Sequence, residues 1–137
     1  MSRSTSEVRI PARDGYPLAA RLVEQAGSAA GGRVVIVNPA MGVPARFYRW
    51  FADALAEAGM NVLLWDYRGI GASRQGSLRG FPATIEDWVF QDMAGVVDWA
   101  HDELSPERLF FVGHSLGGQV AGLLDNAVPR IDENERH

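Results

Sequence analysis

Leu109-Phe110-Phe111-Val112-Gly113-His114-Ser115-Leu116-Gly117-Gly118 is the stretch on which the reading of this chain turns. Four apolar residues in a row, with no polar alternation, mark a strand buried on both faces of a parallel sheet. The strand runs straight into glycines two residues either side of a serine, and Leu116 to Leu124 then follow a short helical pattern. A G-x-S-x-G pattern alone is a weak signal; a buried strand directly before it and a helix directly after it make it specific. The reason is geometric. A serine on so tight a strand-to-helix turn is held in a strained backbone conformation that lifts its hydroxyl above the sheet. Anything larger than glycine at Gly113 or Gly117 would collide there. The backbone N–H of Leu116, at the positive end of the following helix, points where an oxyanion would form. Ser115 is thus the candidate nucleophile and Leu116 the candidate oxyanion donor.

Working upstream, Val8 and Ile10 alternate with polar neighbours. After an Asp14-Gly15 turn, Leu18, Ala20 and Leu22 share one side of a second segment, so the two read as a β-hairpin. The Gly/Ala/Ser-rich run from Gln25 to Gly32 is a loop, and Arg33-Val34-Val35-Ile36-Val37-Asn38 is a β-branched run of the buried kind. A helix is predicted from about Ala45. Phe47, Phe51, Ala54, Leu55 and Ala58 recur at three- and four-residue steps as the stripe facing the sheet, and Gly59 takes the left-handed position after the last turn. Asn61 to Trp65 is the next buried strand, and it enters a turn-rich loop that continues to about Ala83. Thr84 with Asp87 three residues on caps a long helix, with Ile85, Trp88, Val89, Val96, Val97, Ala100 and Leu104 on one face; Ser105-Pro106 ends it. Three alternations of strand and helix mean an α/β fold, a mostly parallel sheet with crossover helices on both faces.

Composition narrows the function. The chain has 137 residues, 47% of them hydrophobic, and a net charge of −4 with acidic and basic residues mixed along its length. That supports a packed core and offers no basic stripe for nucleic acid or a membrane surface. Without cysteine there is no disulfide, thiolate nucleophile or zinc-thiolate site, and His101, His114 and His137 lack ligand spacing, so no metal and no cofactor is expected. The polar start and the absence of any run of about 18 apolar residues point to a cytoplasmic protein with no membrane partner.

Strand, then Gly113-His114-Ser115-Leu116-Gly117-Gly118, resembles the nucleophile elbow of α/β-hydrolases of the esterase, lipase and serine-aminopeptidase type. Two further segments match that family in order and spacing. Asp66-Tyr67-Arg68-Gly69-Ile70-Gly71-Ala72-Ser73 resembles its D-x-R-G-x-G-x-S loop after the fourth strand. Val34 to Asn38, followed by Pro39-Ala40-Met41-Gly42, occupies the place of its oxyanion loop after the third. The resemblance covers about Glu7 to Asn126. It implies a small-molecule acyl substrate attacked by Ser115, with Met41 N–H as the second oxyanion donor. Pro39-Ala40 stands for the family's usual His-Gly, a departure at this loop.

Each residue was weighed against a plainer role. His114 should point away from the serine across the turn and pack beside the sheet, and His101 suits the carboxyl end of its helix electrostatically. Asp66 and Arg68 are read as braces inside their loop. Gly69 and Gly71 do not make a dinucleotide loop, because Arg74 stands where a third glycine is needed. In this fold the acid and then the histidine follow the serine in chain order. After Ser115 the candidates considered for these roles are Asp125, Asp132 and His137. At about 1.5 Å of rise per residue the elbow's helix carries Asp125 roughly 15 Å away, so none of the three is a triad member. Triad acid and histidine are therefore absent from this chain.

The expectation is residues 1–126 as the amino-terminal part of one hydrolase domain, which usually needs about 200 to 250 residues, and 127–137 as a polar, disordered tail. That points to a truncated or frame-shifted product, or a fragment, with negligible turnover alone. The rival expectation is a non-catalytic module that pairs with itself or a partner through the open edge of the Leu109–Val112 strand.

Overall fold

A computed structural model describes residues 3–25, 32–40, 42–74 and 83–113 of the chain. The hairpin is present: β1 (Arg3–Pro11) pairs antiparallel with β2 (Pro17–Gln25), in register from Arg3↔Gln25 to Pro11↔Pro17. The three apolar runs are β3 (Arg33–Asn38), β4 (Asn61–Trp65) and β5 (Arg108–Gly113). All belong to one sheet in the order β1-β2-β4-β3-β5. β3 is parallel to β4, Val34↔Asn61 to Val37↔Leu64, and to β5, Arg33↔Arg108 to Asn38↔Gly113. β2 is antiparallel to β4. The sheet is mixed, with a parallel centre flanked by the hairpin.

Because β4 and β5 lie on opposite sides of β3, the two right-handed crossovers deposit their helices on opposite faces. The alternation of β3 shows this. Val35 and Val37 pack with Val62 and Leu64 under Ala52 and Ala56 of α1 (Arg49–Glu57). Val34 and Ile36 pack with Leu63 and Trp65 under Met93, Val96, Val97 and Ala100 at the second helix.

The predicted stripe of α1 is wrong in phase. The buried residues are Ala45, Ala52 and Ala56, with Tyr48 and Leu55 half-buried, while Ala54 and Ala58 are exposed and Phe47 and Phe51 are 68% and 42% exposed. The segment opens as a 3₁₀ turn (Ala45–Tyr48) before α1 proper, and the change of helical pitch rotates the face relative to a uniform 3.6-residue period. Small alanines let the helix lie close to the sheet, and the larger Phe47 and Phe51 fall outside that contact. Gly59, with φ +92°, takes the left-handed position expected after α1.

The second crossover starts as the sequence indicates. Thr84 Oγ1 accepts from the Asp87 amide at 3.1 Å and Asp87 Oδ2 accepts from the Thr84 amide at 3.1 Å, a reciprocal capping box. The helix is not uniform, however. Asp87–Met93 forms a π-helical stretch before α2 (Ala94–Leu104). The wider turn shifts the inward face, so Asp92 and Met93 are buried and Ile85 is 54% exposed. The end of β1 seats against this helix on its other side: the Arg13 amide donates to Gln91 O at 2.9 Å, and Gly95 lies against Pro11 and Ala12. Ser105, at φ 43°, stops α2 in a left-handed conformation.

Candidate active site at the carboxyl ends of the central strands

In an open α/β sheet, ligands bind outside the carboxyl ends of the strands, where the order reverses. Here the reversal falls between β3 and β5, so Asn38 and Gly113, paired in register, mark the place. A cleft of 270 Å³ opens beside them, lined by Val37, Asn38, Tyr48, Phe51, Val112 and Gly113. Its walls are mostly apolar, as those of ligand pockets generally are. The Tyr48 hydroxyl accepts from the Ala40 amide at 3.0 Å and so ties the loop leaving β3 to the start of α1.

Asn38 is fully buried at the end of an otherwise apolar strand. Its Oδ1 accepts from Trp65 Nε1 at 2.8 Å. Indole N–H can only donate, which fixes the amide's orientation and leaves Nδ2 buried with no partner among the described residues. Tyr67 Oη is likewise buried with no partner among the described residues. Burial, with Asp92 nearby, holds the phenol of Tyr67 far above its ordinary pKa.

The loop after β4 accounts for four residues of the D-x-R-G-x-G-x-S pattern, Asp66, Arg68, Gly71 and Ser73. Asp66 Oδ1 accepts from the Ala45 amide at 2.6 Å and Oδ2 from the Ala72 amide at 3.0 Å, joining the loop to the 3₁₀ turn before α1. Burial raises the pKa of Asp66, and these two amides oppose the shift. Gly71, φ +50°, lets the backbone pass the carboxylate: a Cβ there would sit 2.7 Å from Asp66 Oδ2. Ser73 Oγ donates to Asp66 O at 2.7 Å and accepts from the Ala19 amide at 2.7 Å, fastening the loop to β2.

Arg68 is the hub. Its Nε donates to Asp92 Oδ1 at 2.8 Å, its amide to Asp92 Oδ2 at 2.8 Å, and its terminal nitrogens to both Asp14 oxygens at 2.9 and 2.7 Å. The guanidinium also lies 4.8 Å over the Tyr16 ring. Burial works against the charge of Arg68, but the hydrogen bonds of Asp14 and Asp92 outweigh it and hold its pKa above the ordinary value. The π-helical stretch therefore has a local consequence: it turns Asp92 inward to meet Arg68.

Both buried acids in the described residues, Asp66 and Asp92, have their carboxylate oxygens bonded within these braces. Neither reaches toward the strand-end cleft as a free acid or base, which agrees with the structural role read for Asp66 and Arg68. His101 is exposed in the last turns of α2 beside Asp102, at 3.5 Å, away from the cleft. Among the described residues no group of histidines and carboxylates could hold a metal ion, and no helix is long and apolar enough to cross a membrane. Of the sequence-predicted site, Gly113 ends β5 at the switch point. Met41, His114, Ser115, Leu116 and Gly117 lie outside the described residues, as does the predicted tail.

Sequence reasoning missed Asn38, Tyr48, Asp14 and Asp92. A polar residue closing a five-residue run of charge and β-branched aliphatics was a usable signal for Asn38. Asp92 gave none, because a uniform helical period places it off the buried face.

Sheet order, reversed crossovers and a strand-end cleft define an α/β-hydrolase, and solved structures agree on the fold. An esterase of Pyrococcus furiosus superposes with a TM-score of 0.76 at 21% identity, over 95% of this chain and 47% of that one. An α/β-hydrolase of Novosphingobium aromaticivorans gives 0.66 at 24%, over 92% and 41%. Within that class, residues 30–131 match the model of the serine aminopeptidase S33 family, and the chain belongs to it. The "Putative carbamate hydrolase RutD" of Variovorax paradoxus (strain S110) is 35% identical over 92 residues, 66% of this chain and 32% of that protein. The chain thus spans about a third of that curated relative and under half of these two structures.

Proposed function

We propose that this chain carries the nucleophile-bearing half of a serine hydrolase site. Ser115 attacks the acyl carbon of an ester, thioester, amide or carbamate. The amides of Leu116 and Met41 receive the oxyanion, and the leaving group departs as an acyl-enzyme forms on Ser115. The observation that carries the reading is Gly113, closing a parallel strand at the switch point two residues before Ser115, in a chain of a hydrolase family. The carbamate alternative rests on the name of the relative from Variovorax paradoxus.

On this reading none of the residues after Ser115 serves as the triad acid or histidine, because the elbow's helix would carry Asp125 away from the hydroxyl. A serine hydroxyl without a base is protonated and weakly nucleophilic, so the 137 residues alone should show no more than the residual rate an oxyanion hole supplies. On this reading an active site is completed only when another segment supplies the acid and the histidine. The test is labelling with a fluorophosphonate, first of this chain and then of the chain joined to the remaining strands of a family member. Labelling that appears in the joined form and is lost in Ser115→Ala supports the reading. Labelling that persists in Ser115→Ala would sink it.

A second reading has its own observation. Among the described residues β5 pairs only with β3, and Phe110, Phe111 and Val112 are half-buried. An apolar strand open at its edge can accept another strand, so the chain would act as a non-catalytic module that associates through β5. A folded dimer that never labels in either form would favour this reading over the first.

A further inference from the structure

We infer that Asn38 is the side chain that recognises the carbonyl group of an uncharged acyl compound in the strand-end cleft, its Nδ2 donating a hydrogen bond to the acyl oxygen. It acts beside the backbone donors assigned to Leu116 and Met41. The inference rests on the acyl-transfer reading for the identity of that oxygen, and on the described residues for the donor.

The last residue of β3 carries a primary amide and is 1% exposed. Buried side-chain polar atoms nearly always have a hydrogen-bond partner, because leaving one unmatched forfeits its solvation for nothing. Among the described residues Asn38 Nδ2 and Tyr67 Oη are the exceptions. Their settings differ. Tyr67 packs between two indoles, with ring centroids 4.3 Å from Trp65 and 5.5 Å from Trp88. Asn38 lines the 270 Å³ cleft with Val37, Phe51 and Val112, and pairs in register with Gly113, two residues before Ser115. An unmatched donor at the edge of an apolar cleft is the arrangement that fixes the orientation of a ligand carrying one acceptor.

The donor is also held in place. Trp65 Nε1 engages Asn38 Oδ1 at 2.8 Å, so the amide cannot turn its oxygen outward without leaving the indole N–H unmet. The indole is fixed in turn: Trp65 is fully buried against Tyr67, and Trp88 beyond it is tied through Nε1 to Arg68 O at 3.1 Å. Folding has therefore settled both the direction and the desolvation of Nδ2. Such a donor strengthens its bond most to an oxygen that gains negative charge during the reaction, because no dipole has to reorganise when the charge develops. The acyl oxygen is that acceptor, a neutral carbonyl in the substrate and an oxyanion once Ser115 has added to the carbon. Apolar walls disfavour a ligand that is already ionised, so the class is a neutral ester, thioester, amide or carbamate and not a carboxylate.

The test is titration of the isotope-labelled 137-residue chain with methyl propyl ketone, a neutral carbonyl compound with no leaving group, in mildly alkaline buffer and followed by proton–nitrogen correlation spectra. The side-chain amide protons of Asn38 should move saturably together with the backbone signals of Phe51 and Val112. Asn38→Asp keeps an oxygen for Trp65 Nε1 and loses the donor, and should weaken binding about tenfold, the scale of one well-made hydrogen bond. Asn38→Ala should weaken it at least as much. Circular dichroism melts confirm that the variants fold, and the wild-type shift of the Asn38 amide decides the matter if they do not. Each titration is repeated in a Ser115→Ala background, so that addition of the serine to the ketone is separated from the hydrogen bond; weakening of the same size in both backgrounds is expected. No saturable shift in wild type, shifts at Phe51 and Val112 that leave the Asn38 amide unmoved, or binding kept in Asn38→Asp and lost with Ser115→Ala each overturns the proposal.

Discussion

Replacing Gly95 with alanine sets two opposed effects against each other. In the interior of a helix, alanine is favoured over glycine by about 1 kcal/mol, so propensity alone predicts a more stable protein. Packing predicts the reverse. A Cβ at Gly95 would lie 2.7 Å from Ala12 Cα and 2.7 Å from Pro11 O. Both are backbone atoms, so no rotamer change can make room. The hairpin end is held there by bonds from the Ala12 amide to Tyr16 O and from the Arg13 amide to Gln91 O, each 2.9 Å. Helix and hairpin must therefore move apart by nearly an ångström to restore ordinary carbon contacts near 3.5 Å. Overpacking of this kind costs about 1–3 kcal/mol, and rigid backbone neighbours place it at the upper end. The difference is a net loss of about 1–2 kcal/mol, or a Tm lower by roughly 3–8 °C. Urea unfolding followed by tryptophan fluorescence reads it, since Trp88 and Trp99 lie on the same helical segment. A Gly95→Ala protein as stable as wild type, or more so, would refute the close seating of β1 on this helix.

Two glycines with positive φ separate backbone strain from collision. Gly59, φ +92°, has nothing within 4 Å of a built Cβ, so Gly59→Ala should cost only the left-handed strain of about 1–2 kcal/mol. Gly71→Ala adds a clash with a hydrogen-bonded carboxylate and should cost about 3 kcal/mol or more; equal denaturation midpoints for the two variants would discount the Asp66 brace. Acid titration of stability tests the Arg68 hub. Hydrogen bonds from Arg68 hold the pKa of Asp14 below its usual 3.8, against the opposing effect of burial. A depressed folded pKa contributes stability that is complete above the unfolded value and lost as pH falls through the folded one. Wild type should therefore lose its advantage over Asp14→Asn as pH drops below about 4; a constant gap from pH 5 to 2 would show that Asp14 is not coupled to Arg68.

The strands and their limits were legible because local chemistry sets them. An unbroken β-branched run gave β3, an apolar run gave β4, an Asp-Gly turn gave the hairpin, and Thr84 with Asp87 gave the capped start of the second crossover. The family pattern at residues 66–73 was legible as a brace, although its partners were not. Asp92 and Asp14 lie 24 and 54 residues from Arg68 in sequence, and no local pattern ties them together. The face of α1 was misread for a related reason: both alanine and phenylalanine positions repeat at helical spacing, and only proximity to the sheet selects the smaller set.

By itself, then, the order of residues determined the succession of strands and helices as far as β5 and the absence of any cysteine chemistry. These follow from backbone preference, side-chain periodicity and residue type, which act within a few positions of each other. Only the tertiary structure decided that β5 lies beside β3 and so puts Asn38 against Gly113, that Asp92 turns inward on a π-helical stretch, and that Arg68 gathers Asp14 and Asp92 around it. Those juxtapositions are made between segments far apart in the chain, where burial and electrostatics are settled by what each surface meets once the sheet has formed.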